Sequence, residues 1–275
     1  MKSKILTFLL VSLLGITGAT EHSFDYDLHF FSLPGSNART MICCHGYGDS
    51  YQIAETLKNL YQPKITLVSF NFPEHNIKQG KKYNPTTASF GTIDELLPLL
   101  YVMKKVVLDQ RLESIDLYGF SAGGGAVVNT IAVLNGTAHD AKLKRIGIGT
   151  EEKNRLLAAI QLGIVILDTP LKSIEEIMDF RGSSEEFEIL AKKYRTNGFR
   201  PIDSLKMLDG LSLNILLYFD KRDEILSNRD DLIYIQRLQD SQSRERISVI
   251  IGDEGGHMAP HYSLWKAYSN HSCLR

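Results

Sequence analysis

The sequence has few cysteines, no marked excess of either charge and no low-complexity tract. Its 275 residues carry a formal net charge of −1 at pH 7. A charge so close to zero gives no electrostatic basis for binding nucleic acid, and we expect no nucleic-acid partner. No block of like charges forms a tail. With 43% hydrophobic and 23% charged residues, the composition is typical of a globular protein with one sizeable core.

The three cysteines indicate neither a disulfide framework nor a metal site. Cys43 and Cys44 are neighbours and Cys273 lies near the C-terminus, so any single disulfide leaves one thiol over. Adjacent residues of a β-strand point to opposite faces, so Cys43 and Cys44 cannot together hold a metal if they lie in a strand. We expect both to be small buried side chains. We predict no metal ion and no cofactor.

Long apolar runs are also scarce, and the one at the N-terminus is typical of an export signal. Two lysines precede an apolar run from Ile5 to Ile16, and small residues suited to cleavage end at Ala19. The run is shorter than the roughly 20 residues that a transmembrane helix needs. We predict a signal peptide over residues 1–19, a periplasmic or secreted mature protein, and no stable membrane span in it. The alternatives are an uncleaved membrane anchor and a buried first strand or helix.

Hydrophobic patterning over the remaining residues predicts strands that alternate with helices. Short apolar runs typical of strands fall at residues 24–30, 39–44, 65–70, 114–118, 160–167, 213–219 and 247–251. Helical periodicities follow at about 50–60, 92–108, 126–134, 227–239 and 258–270. Such alternation is typical of a mostly parallel sheet with helices on both faces. We predict a doubly wound α/β fold in one domain over residues 20–275.

Residues 170–208 interrupt this alternation with two or three helical patterns and no convincing strand. Ser173 and Ser183 each begin a Ser-x-x-Glu pattern, which is typical of a helix start. We predict that this segment is a helical lid. An ordinary long crossover connection is the alternative.

A glycine-rich turn carries the clearest chemical motif. Residues 119–123, GFSAG, match G-x-S-x-G, follow the predicted strand 114–118 and open an apolar helix. In that setting Ser121 stands on a sharp, strained turn, where side chains in place of the two glycines would collide with neighbouring elements. We predict that Ser121 is a nucleophile. A plain glycine turn is the alternative.

A serine hydroxyl needs a base, and His257 is the best placed of the eight histidines. It follows the predicted strand 247–251 and a glycine-containing loop, which puts it at the carboxyl edge of the sheet, where such sheets bind ligands. His261 lies four residues further on. Pro260 between the two histidines argues against a metal site on one helix face.

The base in turn needs a carboxylate that fixes its tautomer. Asp220, Asp223 and Glu224 follow the predicted strand 213–219, and Asp168 ends an earlier strand. All four remain candidates on position alone.

The oxyanion of a tetrahedral intermediate needs backbone donors. Ala122 supplies one N–H group because it follows the nucleophile at a helix start. We expect the second from the loop after strand 39–44, where Tyr47 or Gly46 offers an N–H group. His45 in the same loop is expected to be structural.

Taken together, these segments resemble the α/β-hydrolase fold superfamily from about residue 24 to residue 270. The carrying motifs are HGYGD at 45–49, GFSAGG at 119–124, LLYFDKRDEIL at 216–226 and GGH at 255–257. Their order matches the family's order of oxyanion loop, serine, acid and histidine. The resemblance implies an esterase- or lipase-like serine hydrolase and places the acid at Asp223, with Asp220 and Asp168 as alternatives. At Asp220 the chain departs from its relatives, which often carry glycine there.

The resemblance implies cleavage of an ester, thioester or amide bond through an acyl-enzyme, with a small-molecule or acyl substrate. The serine at the turn argues against family members that use an aspartate nucleophile. An acyltransferase or a serine peptidase on the same fold is an alternative, and so is a catalytically inactive binding protein.

Overall fold

The computed structural model describes residues 28–32, 39–72, 89–226, 228–242, 244–259 and 261–272. The predicted signal peptide and most of the predicted strand 24–30 lie outside these residues, as do Pro260 and Cys273. Cleavage and export therefore stay predictions.

A seven-stranded sheet forms the centre of the molecule. Its strands are β1 (His29–Phe31), β2 (Thr40–Cys44), β3 (Thr66–Ser69), β4 (Asp116–Phe120), β5 (Val165–Asp168), β6 (Ile215–Asp220) and β7 (Ile247–Gly252). The strand order is β1-β3-β2-β4-β5-β6-β7. Only β1 pairs antiparallel among these described strands, and every other neighbouring pair is parallel. The predicted mostly parallel α/β fold is confirmed.

Helices connect the strands. They are α1 (Gln52–Tyr61), α2 (Ile93–Met103), α3 (Ala122–Asn135), α4 (Asp140–Arg145), α5 (Thr150–Leu162), α6 (Ile174–Arg181), α7 (Glu185–Thr196), α8 (Pro201–Ser204), α9 (Asp231–Ser241) and α10 (Tyr262–Ser272). A π-helical segment, Lys104–Asp109, continues α2, and 3₁₀ turns lie at Leu205–Leu208, Asn228–Asp230 and Arg244–Arg246. No helix of the described residues has both the length and the apolar character needed to cross a membrane.

The core lies on both faces of the sheet. Side chains of α1 and α10 pack on one face and those of α2, α3, α5 and α9 on the other. Within β2, Cys43 belongs to the first face and Cys44 to the second, as expected for adjacent strand residues. Both thiols are fully buried, and this burial raises the pKa of each. Neither thiol is suited to react as a thiolate.

One predicted strand is wrong at its start. The apolar run 160–167 was expected to be strand throughout, but Ile160 belongs to the last turn of α5 and the strand begins at Val165. The helix ends at Leu162, and the N–H of the next residue, Gly163, donates to the Ile160 carbonyl at 3.0 Å. Ile160 and Val165 are both buried in the core, so the run is uniformly apolar although two elements share it.

The segment predicted as helical, 170–208, contains α6, α7, α8 and a 3₁₀ turn. No strand interrupts it among its described residues. The helices are thus present, while their role as a lid stays a prediction.

Candidate active site

Ser121 lies at the junction of β4 and α3 in a strained conformation. Its backbone angles are φ 51° and ψ −119°, a region that costs a non-glycine residue on the order of 1–3 kcal/mol. Neighbouring backbone groups hold it there: its N–H donates to the Asp168 carbonyl at 3.0 Å, and its carbonyl accepts from Leu171 at 2.8 Å and Gly124 at 2.9 Å. The turn predicted from the sequence is therefore sharp, and hydrogen bonds at both the N–H and the carbonyl of Ser121 hold it in place.

The two glycines of the motif are sites of close approach. A Cβ atom added at Gly123 would lie 2.6 Å from the His45 carbonyl oxygen and would also strike the Cys44 carbonyl. One added at Gly119 would lie 2.6 Å from the Gly124 Cα. The collisions expected from the sequence are present at both positions.

His257 and Asp223 form a buried pair. The His257 Nδ1 lies 2.7 Å from Asp223 Oδ2, and the other carboxylate oxygen accepts the N–H groups of Ile225 at 2.8 Å and Leu226 at 2.7 Å. Burial opposes ionisation of Asp223, but the hydrogen bonds from His257 and from these N–H groups outweigh it and lower its pKa. The ionised carboxylate keeps the ring proton on Nδ1, so Nε2 is the nitrogen that can accept another proton.

The other candidate acids have different partners. Asp220 accepts two backbone N–H groups and a tyrosine hydroxyl. Asp168 binds a second histidine and another tyrosine hydroxyl. Glu224 accepts the backbone N–H of His257 at 3.0 Å. Among the described residues, Asp223 is the candidate whose carboxylate hydrogen-bonds to the His257 ring.

The loop after β2 lies against the turn. A Cβ atom on Gly46 would lie 3.3 Å from the Ser121 Cβ, so this loop backbone runs directly beside the serine. Tyr47 follows and is 43% exposed, and Ala122 is the first residue of α3. Two segments with backbone N–H groups therefore meet at Ser121.

His45 is a structural residue, as expected. It is fully buried, and its Nδ1 donates to the Gly46 carbonyl at 2.8 Å while its Nε2 accepts the Phe72 N–H at 3.0 Å. Both ring nitrogens are thus engaged by the backbone, which fixes the shape of the loop.

A cavity of about 230 Å³ opens over this arrangement, and both Ser121 and His257 line it. Much of the remaining wall is apolar and includes Phe90, Leu171, Ile174, Ile177, Phe187, Leu190, Leu226 and Met258. Several of these residues come from α6 and α7. The cavity is smaller than the roughly 300–1,000 Å³ pockets that hold drug-sized ligands, which favours a small ligand.

One feature of the site was not predicted from the sequence. His261 and Asp168, each considered for other roles, bind each other with 2.6 Å between Nδ1 and Oδ1. A histidine four residues beyond the first and an aspartate at a strand end were the available signs. Their pairing depends on a contact across 93 positions of the chain, which spacing alone does not reveal.

Solved structures with the same architecture cover nearly the whole chain. An esterase of Pyrococcus furiosus matches with a TM-score of 0.54 at 15% identity, over 94% of this chain and 95% of that one. A carboxylesterase of Bacillus cereus matches with a TM-score of 0.52 at 10% identity, over 93% and 97%. An alpha-beta hydrolase of Vibrio vulnificus matches with a TM-score of 0.55 at 16% identity, over 86% and 73%.

No protein-family profile and no curated protein matches the sequence. At such low identities the structural matches bear on fold. The chain has the α/β-hydrolase fold.

Proposed function

We propose that the protein is a serine hydrolase that cleaves carboxylic esters through an acyl-enzyme, with Ser121 as nucleophile, His257 as base and Asp223 as acid. The observation that carries the proposal is the buried His257–Asp223 pair on the same cavity as a serine in a strained turn. The esterases and carboxylesterases among the similar structures support it.

In the first half-reaction, the Ser121 Oγ attacks the ester carbonyl carbon while its proton passes to the His257 Nε2. The tetrahedral intermediate then collapses, the bond to the alcohol oxygen breaks, and His257 returns the proton to the departing alcohol. Asp223 stays ionised throughout and stabilises the imidazolium that forms. Its lowered pKa suits this role.

In the second half-reaction, water attacks the acyl carbon and gives a proton to the His257 Nε2. As the intermediate collapses, the bond to the Ser121 Oγ breaks, His257 returns the proton to that oxygen, and the carboxylic acid is released. Each intermediate carries a negative oxygen. We assign its stabilisation to the backbone N–H groups of Ala122 and Tyr47, because α3 begins at Ala122 and the loop of Tyr47 lies beside Ser121. Removing one oxyanion donor, a side-chain amide, costs about 3–4 kcal/mol in a well-studied serine protease, which sets the scale for such a hydrogen bond.

The cavity wall limits the substrate. Its aliphatic and aromatic side chains suit an uncharged apolar acyl group, and no lysine or arginine stands among the described lining residues to pair with a second carboxylate. We therefore propose esters of short or medium uncharged acids as substrates.

The test is covalent labelling with a fluorophosphonate, followed by intact mass and peptide mapping. The wild-type protein should gain one adduct on Ser121, and Ser121→Ala should gain none. Ser183→Ala, which changes an exposed serine two residues before α7, is the matched control and should label like the wild type.

Turnover of a short-chain activated ester completes the test. Ser121→Ala should fold normally and lose activity by about 10⁴-fold or more. Equal turnover by Ser121→Ala and the wild type would overturn the proposal.

A further inference from the structure

A second histidine–aspartate pair contacts the backbone next to the candidate base, His257. His261 is buried, its Nδ1 lies 2.6 Å from Asp168 Oδ1, and its Nε2 lies 3.0 Å from the Gly256 carbonyl oxygen. The hydroxyl of Tyr118 donates to the other oxygen of Asp168 at 2.7 Å. Both ring nitrogens of His261 therefore face oxygen acceptors.

This geometry decides the protonation of His261. A carbonyl oxygen can only accept, so Nε2 must carry a proton to bind Gly256. Nδ1 faces a carboxylate that also accepts from Tyr118, and a proton there completes an imidazolium–carboxylate pair. Burial by itself lowers the pKa of His261, but the hydrogen bond and charge of Asp168 and the bond to Gly256 raise it overall.

The groups around His261 favour its charged form. The ring of Tyr218 stacks on it with 4.2 Å between centroids, the carboxylate of Asp220 adds negative potential, and the backbone N–H group of His261 donates to the Tyr61 hydroxyl. Glu254 faces the same two tyrosines, and its carboxylate adds to the negative potential there. The carboxylates of Asp168 and Asp220 therefore favour the cation, against the effect of burial.

The contact to Gly256 fixes one end of a peptide bond, and Glu224 fixes the other. The Gly256–His257 amide offers its carbonyl to His261 and its N–H to Glu224 Oε2 at 3.0 Å. Gly256 has φ +100°, and a Cβ atom there would strike Glu224 Oε2. The backbone that carries His257 is thus clamped by two side chains, in a conformation that suits glycine.

We propose that His261, held in its protonated form by Asp168, is a positioning residue that sets the orientation of His257 through the Gly256–His257 peptide. This inference rests on the proposed function. His261 does not reach the cavity lining and acts on the base through the backbone.

The hydrogen bond from the His261 Nε2 to the Gly256 carbonyl depends on pH. When His261 loses a proton, the remaining one stays on Nδ1 beside the Asp168 carboxylate, and the Nε2 lone pair then faces the Gly256 oxygen. The two acceptors repel each other, and the contact between His261 and Gly256 is lost. Activity should therefore fall at alkaline pH, above the raised pKa of His261.

The experiment compares His261→Leu, which removes both contacts, with His261→Gln, whose amide N–H can reach Gly256 at any pH. His271→Gln changes a histidine on the exposed side of α10 and is the matched control. The rate of fluorophosphonate labelling and the kcat and KM of an activated ester are measured from pH 5 to 10. Nitrogen-15 NMR of histidine-labelled wild-type protein reports the ring protonation.

We expect His261→Leu to lower kcat by about 10- to 100-fold at an almost unchanged KM, because a small misplacement of the base affects the chemical step. His261→Gln should recover most of this loss and should lack the alkaline fall that the wild type and His271→Gln show. In the NMR spectrum both nitrogens of His261 should carry protons at pH 7. If His261→Leu does not fold, the pH profile of His261→Gln and the NMR spectrum still decide.

Wild-type labelling rates in a folded His261→Leu, an unchanged alkaline fall in His261→Gln, or a singly protonated ring would each overturn the inference. A wild-type protein that is never labelled would instead overturn the proposed function. The NMR result separates these two failures, since it needs no activity.

Discussion

Replacing Gly123 by alanine is a severe test of the turn geometry. The added Cβ would lie 2.6 Å from the His45 carbonyl oxygen, well inside the roughly 3.4 Å of an ordinary contact, and closer still to Cys44. Both obstacles are backbone atoms, at the end of β2 and the start of the loop that follows it, so they cannot rotate away. The loop or the helix must move by the missing distance of almost an ångström.

Two effects of this substitution oppose each other. Alanine is favoured over glycine in a helix by about 0.5–1 kcal/mol, whereas overpacking a filled site costs about 1–3 kcal/mol or more. The clash should win, and the free energy of unfolding should fall by about 1–2 kcal/mol. Activity should fall further, by about 100-fold, because the displaced loop carries the proposed oxyanion donor of Tyr47.

The assay combines thermal unfolding with kcat/KM on an activated ester. Gly125→Ala is the comparison within the same helix. Its nearest obstacle is the side-chain Cγ of Pro201 at 2.9 Å and the nearest backbone atom, the Leu171 carbonyl oxygen, lies at 3.1 Å, so it should lose less of both quantities. A Gly123→Ala protein with wild-type stability and activity would refute the argument that backbone contact requires glycine here.

Two further predictions concern the helices beside the cavity. Ile177→Trp should fill part of the cavity and reduce kcat/KM for hexanoyl esters by about tenfold more than for acetyl esters, which corresponds to about 1.4 kcal/mol. The control Leu162→Trp changes an exposed residue and should leave the ratio of the two kcat/KM values unchanged. An unaltered chain-length preference in Ile177→Trp would contradict this account of the acyl site. Burial raises the pKa of Glu176 to about 8 despite its ion pair with Lys172, so this carboxyl is largely protonated at neutral pH. The folded state therefore binds this proton more tightly than the unfolded state, in which the pKa is near 4.3. The stability that Glu176 contributes is lost as pH rises from about 4.3 through about 8. Denaturation should therefore be measured from pH 5 to 9. Over that window the free energy of unfolding of Glu176→Gln should rise by about 2–5 kcal/mol relative to that of the wild type. A difference in the free energy of unfolding that stays constant with pH would contradict the buried-acid assignment.

Local patterns were enough to predict the sheet and the turn at Ser121. Each central strand is a short run of apolar residues, and G-x-S-x-G occurs where a strand meets a helix. Residues close together in the sequence are therefore enough to predict both the strands and the turn. Resemblance, rather than spacing, placed Asp223 first among the acids. In the structure its N–H donors at Ile225 and Leu226 follow immediately in the chain, so the turn that presents it is local as well.

Other features depend on contacts that a single sequence does not reveal. The run 160–167 is apolar throughout because the end of α5 and the start of β5 are both buried, so hydrophobicity could not locate the boundary at Gly163. The pairing of His261 with Asp168 joins β5 to the loop before α10, across the carboxyl edge of the sheet. Which polar residues meet at that edge is set by tertiary packing.

The most direct measurement of the central claim is kcat/KM of Asp223→Asn on an activated ester, beside Asp220→Asn. Asparagine keeps the shape of the side chain but favours the wrong imidazole tautomer, at a cost of about 10⁴-fold in a serine protease. That factor corresponds to about 5.5 kcal/mol of barrier. We expect a loss of this size for Asp223→Asn and of only about 10- to 100-fold for Asp220→Asn, whose carboxylate binds backbone N–H groups and Tyr218. An Asp223→Asn protein that keeps more than about a tenth of the wild-type activity would contradict this expectation.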